Sequence, residues 1–60
     1  MKPQLTAQDI MNVARSIGIR SLPSETIGII LAEYPYEQKL DPTATWDLVV
    51  ENLIHQNQQR

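Results

Sequence analysis

Apolar residues recur along this chain at helical intervals, in three runs separated by polar, proline-containing breaks. In the first run Ile10, Val13, Ala14 and Ile17 fall at i, i+3, i+4 and i+7, one face of an α-helix. Thr6 followed three residues later by Asp9 has the spacing of a capping box, and an acid suits the positive end of the helix dipole. Gly18 comes directly after the run, where a helix end favours a residue with positive φ. These signals predict a helix over 7–17.

The second run, Ile27, Ile30, Leu31 and Tyr34, repeats the spacing. Pro23 suits a first helical turn and Ser24 is a capping residue type. Pro35 pushes the residue before it away from the α region, so the second helix is predicted over 23–34. Residues 35–41, PYEQKLD, read as a connector with Leu40 turned inward. Asp41–Pro42 has the form of an N-cap followed by a proline at N1, and it opens a third helix over 42–56. Trp46, Val49, Val50 and Leu53 form its inner face, with Trp46 as a core anchor. The polar end HQNQQR is expected to fray.

No run alternates with period two, and no internal repeat or low-complexity tract occurs. The fold class expected is therefore all-α, a small three-helix bundle. Residues 1–60 form one small helical domain in this reading, with 1–5 and 57–60 as flexible ends.

Composition narrows the chemistry. A chain of 60 residues buries only roughly 60% of its unfolded surface. A single core of this size rarely supplies more than about 3–5 kcal/mol. Cysteine is absent, which removes disulfides and thiolate metal sites, and His55 alone cannot build a histidine zinc site. No metal and no cofactor are expected. No apolar run reaches the length of a signal peptide or a membrane span, so no membrane role and a cytoplasmic location are expected.

The charge is unevenly placed. Residues 1–20 carry Lys2, Arg15 and Arg20 against Asp9, a balance of +2. Residues 21–60 carry Lys39 and Arg60 against Glu25, Glu33, Glu37, Asp41, Asp47 and Glu51, a balance of −4. Phosphate recognition draws on clustered Lys and Arg, so nucleic acid is disfavoured as a partner. Catalysis is not expected either. Ser16, Ser21 and Ser24 lie in or near the turn with no base beside them, and two glycines cannot form a phosphate loop. His55, near a helix end, reads as a solvated residue favoured by the dipole.

Some apolar residues fall off the inner faces. Ile29 and Leu48 lie roughly 160–200° from the centre of their helices' inner faces at 100° per residue. Ile54 and Met11 lie at the margins. Gly28 costs roughly 1 kcal/mol against alanine inside a helix. With Ile29 and Ala32 it makes a smooth apolar strip, either covered within the monomer or open to a partner. The contact set read from the sequence is Ile19, Gly28, Ile29, Ala32, Leu48 and Ile54.

Three partial resemblances accompany this reading. The stretch VARSIGI (residues 13–19) resembles the opening of a helix-turn-helix in its apolar and glycine positions. The following helix, PSETIGIILAEY, carries Glu25 and Glu33 and no basic residue, which phosphate repels. The Ile17–Gly18–Ile19 loop and the final LVVENLIHQ resemble a ubiquitin-associated domain, which implies a binding patch at Gly18, Ile19, Leu48 and Asn52. Residues 10–34 are similar to part of the histone fold of transcription initiation factors. That fold's long central helix conflicts with Pro35 and Pro42.

The function expected is a small non-catalytic protein–protein interaction module, or a self-associating domain acting as a homodimer. The alternative is a helix-turn-helix-like nucleic-acid-binding or transcription-regulatory domain, with Arg15 and Arg20 on the phosphate backbone.

Overall fold

A computed structural model of the chain describes residues 4–58, which form three helices and no strand. They are α1 (Ala7–Ser16), α2 (Ser24–Leu40) and α3 (Trp46–Gln58). All three pack on one another as a small three-helix bundle, with α2 and α3 sharing the most extensive interface. Of the expected flexible ends, residues 1–3 and 59–60 lie outside the described ones. Leu5 packs against the core, and residues 57 and 58 continue α3.

Both ends of α1 follow from local chemistry. The Thr6 hydroxyl accepts from the Asp9 N–H at 3.2 Å, and the Asp9 carboxylate accepts from the Thr6 N–H at 3.1 Å. This reciprocal box satisfies two donors that would otherwise lack a helical partner. At the other end Gly18 takes φ 89°. Its N–H donates to the Arg15 carbonyl, and the Ile19 N–H donates to Ala14 at 2.9 Å. That pair of bonds is a Schellman motif, and it turns Ile19 back against the core.

The second helix differs from expectation. It runs seventeen residues, straight through Pro35, instead of stopping at Tyr34. Proline removes the N–H that would have bonded the Leu31 carbonyl. Here both Pro35 and Leu31 are exposed, so the break in the helical ladder falls on the solvent side of α2. What the helix gains beyond Pro35 is Gln38, turned inward to 5% exposure. Pro23 occupies the cap position and Ser24 is the first helical residue, so the serine expected to cap makes no cap bond. Pro35→Ala should restore the missing bond and raise stability by about 1–3 kcal/mol, read as a higher urea midpoint. An unchanged or lower midpoint would mean that the proline is not a strained position.

Gln38 also explains why α3 begins late. Its side-chain amide donates to the carbonyls of Asp41 at 3.2 Å and Ala44 at 3.1 Å, and its oxygen accepts from the Tyr34 hydroxyl at 3.1 Å. The Ala44 N–H donates to the Asp41 carbonyl at 3.1 Å, closing a β-turn over residues 41–44. Asp at the first position and Pro at the second suit such a turn as well as they suit a helix start. The Thr43 hydroxyl donates to the Asp41 carboxylate at 3.0 Å and reinforces it. The helix predicted from residue 42 therefore opens at Trp46, where the Val49 N–H reaches the Thr45 carbonyl.

The core holds Ile10, Val13 and Ala14 from α1, Ile30 and Tyr34 from α2, and Val49, Val50, Leu53 and Ile54 from α3. Ile17, Ile27 and Trp46 pack against it half-buried, so Trp46 serves as a rim residue more than a central anchor. Leu31, expected inward, is 36% exposed at the flank of α2. Leu40, also expected inward, is 80% exposed, because at 100° per residue it lies about 120° from the centre of the core stripe of Ile30, Tyr34 and Gln38.

Candidate functional site

The polar groups that chemistry would need are dispersed. The Ser16 hydroxyl donates to the Val13 carbonyl at 2.6 Å, inside its own helix turn. His55 is exposed, with Nε2 3.9 Å from the Glu51 carboxylate one turn earlier. Asp47, in the first turn of α3, is held below its ordinary value of 3.8 chiefly by a side-chain hydrogen bond with Thr45 and by backbone N–H donors. Among the described residues no three His, Asp or Glu side chains converge as a metal cage, and no helix is long and apolar enough to cross a membrane.

A cleft of about 110 Å³ lies between the end of α2 and α3, with Glu37, Asp41, Asn52 and Gln56 around Val49 and Leu53. Small-molecule pockets enclose roughly 300–1,000 Å³, so this one has room for little beyond a few waters.

The other feature is the outward side of α2. Taking Ala32 as its centre, 100° per residue puts Gly28 and Tyr36 within about 40° of it and Ile29 within about 60°. Leu40 follows at the flank, one turn after Tyr36. Ile29, Ala32, Tyr36 and Leu40 thus recur at i, i+3, i+7 and i+11, an apolar stripe facing away from the core stripe of Ile30, Tyr34 and Gln38. Tyr36 is 71% exposed, Gly28 and Ala32 are exposed, and Ile29 is half-buried. Glu25 and Lys39, both exposed, lie on the same face at its two ends.

The contact residues read from the sequence divide accordingly. Gly28, Ile29 and Ala32 come together on this face, with Ile29 nearer its edge than the helical wheel suggested. Leu48 is 47% exposed on α3, opposite that helix's own buried stripe, and so looks outward from another side of the bundle. Ile19 is half-buried beneath the α1 turn. Ile54 leaves the set altogether. It is fully buried, because α3 packs against both other helices and its inner face is wide enough to include it.

Tyr36 and Leu40 were missed because Pro35 was read as a helix end. The signal was nonetheless present: their spacing from Ile29 and Ala32 keeps the helical period across the proline.

These elements define the class, a small all-α three-helix domain whose central helix is apolar on two sides. No protein-family model, curated protein or solved structure matches the chain.

Proposed function

We propose that this chain is a small, non-catalytic protein-contact module that docks through the outward face of α2. The observation that carries the reading is the exposure of Tyr36 and Leu40, at 71% and 80%, in helical register with Ala32 and Ile29. Single exposed apolar residues are ordinary. A row of them in register along one helix is the pattern by which an amphipathic helix engages another surface. Tyrosine adds a broad, rigid contact with few rotamers to immobilise. The cytoplasm is the compartment this reading assumes, in keeping with a cysteine-free chain.

The test compares the immobilised chain with a Tyr36→Glu, Leu40→Glu variant. Both sites are exposed, so circular dichroism should show the variant folded. The reading expects a protein from the source cell that is retained by the parent chain, binds it again after purification, and is lost by the variant. An identical retained set and identical sedimentation for both chains would overturn it. Fluorescence anisotropy with a DNA duplex checks the helix-turn-helix alternative. Affinity that falls steeply with salt would favour that alternative over the contact module.

A further inference from the structure

We infer that the occupant of this face is a second copy of the same chain, with α2 packed antiparallel against α2 on a two-fold axis at Ala32. The inference rests on the reading of α2 as a contact face and adds its partner and geometry. Its basis is that the face is complementary to itself. In an antiparallel pair centred on residue 32, residue i of one helix lies at the height of residue 64−i of the other, by the uniform rise of about 1.5 Å per residue.

That register pairs the face's features with one another. Glu25 and Lys39 stand seven residues either side of Ala32, each within about 20° of the face's centre. Each glutamate therefore meets the second copy's lysine, twice per dimer. Both side chains are exposed, and roughly 21 Å of helix axis separates them within one chain, so neither can serve the other intramolecularly. Gly28 and Tyr36 stand four residues either side of the centre. The Tyr36 ring thus crosses the seam at the height of the second copy's Gly28 and lies along its Ile29. Ala32 meets Ala32 at the crossing point, where a small residue lets the helices approach.

Gly28 supplies a second, independent observation. A Cβ added there would meet nothing within 4 Å among the described residues, and its φ is not positive. Among the described residues no packing contact explains a glycine at this interior helical position, which ordinarily weakens a helix. Close approach of a second Tyr36 does explain it. The arrangement is isologous, the same patch on both copies, as a two-fold dimer requires.

The test is sedimentation equilibrium at tens to hundreds of micromolar in low salt, with circular dichroism as a control for folding. The parent chain is expected to dimerise. Gly28→Lys should leave the chain folded, since open space and a better helix former replace the glycine, yet bring it to monomer. Glu25→Lys alone and Lys39→Glu alone should each weaken association about tenfold, because each turns two attractive contacts into two repulsive ones. The double reversal should recover most of the loss, an outcome that only an antiparallel self-pair produces.

A parent chain that stays monomeric overturns self-pairing and leaves the contact reading to the capture experiment above. A dimer that resists Gly28→Lys overturns the use of this face. A dimer lost with Gly28→Lys but not recovered by the double reversal overturns the antiparallel geometry while the contact reading stands.

Discussion

Leu53→Ala is expected to leave this chain largely unfolded at room temperature. Leu53 is fully buried, and it belongs to a core that, among the described residues, comprises nine apolar side chains from all three helices. Truncating a buried leucine to alanine costs about 2–5 kcal/mol, the lost transfer energy plus the cavity left behind. A domain this small holds only about 3–5 kcal/mol in reserve, so the substitution consumes most or all of it. Few residues surround the site, and the helices have little material with which to collapse into the void.

Leu48→Ala, five residues earlier on the same helix, is the internal control. Leu48 is 47% exposed, and substitutions away from buried features stay within about 0.5 kcal/mol. Urea unfolding followed by circular dichroism, at one fixed protein concentration, separates the two. Similar midpoints for both variants would mean that Leu53 is not the keystone that its burial indicates.

Gln38→Glu should be nearly as damaging at neutral pH, through a different mechanism. The Gln38 amide nitrogen donates to two carbonyls, those of Asp41 and Ala44, and so holds the turn between α2 and α3. A carboxylate has the same shape and no N–H. It would keep the bond from the Tyr34 hydroxyl and set a buried negative charge against two carbonyl oxygens. Losing donors at a buried site costs about 1–3 kcal/mol, and the uncompensated charge adds to that.

Acid should partly rescue the variant. Because the fold disfavours the charged form, the folded pKa of the new glutamate lies above its unfolded value of about 4.3. The charge-dependent part of the deficit is therefore absent below the unfolded value and develops as pH rises through the folded one. A smaller loss persists in acid, because a protonated carboxyl has one O–H for the two carbonyls. Measured against the parent chain at each pH, the deficit should shrink on going from pH 7 to pH 4. A deficit independent of pH would show that Gln38 is not enclosed as described.

The two substitutions also mark how far the sequence could be read. Leu53 was legible as core from the spacing Trp46, Val49, Val50, Leu53, and the core stripe of α1 was legible from Ile10, Val13 and Ala14. Gln38 was not legible, because a polar residue in a stretch containing a proline resembles any connector. Its three hydrogen bonds join residues four, three and six positions away, and they form only if the helix continues past Pro35. The same dependence hid part of the contact face. The strip of Gly28, Ile29 and Ala32 is legible in the sequence, but with the helix ending at Tyr34 neither Tyr36 nor Leu40 has a register with it.

By itself the sequence determined the number of helices, their all-α packing and both ends of α1. These rest on interactions closing within five residues: the Thr6–Asp9 box, the Gly18 cap and the apolar period. Tertiary structure alone decided where α2 ends, where α3 begins and which side of α2 is left to solvent. Pro35 is compatible with a helix end or, at the cost of one hydrogen bond, with a continuing helix, and the pair Asp41–Pro42 suits a β-turn or a helix start. The choice between them is made by burying Gln38 against α3 and its preceding turn, a gain no local window contains.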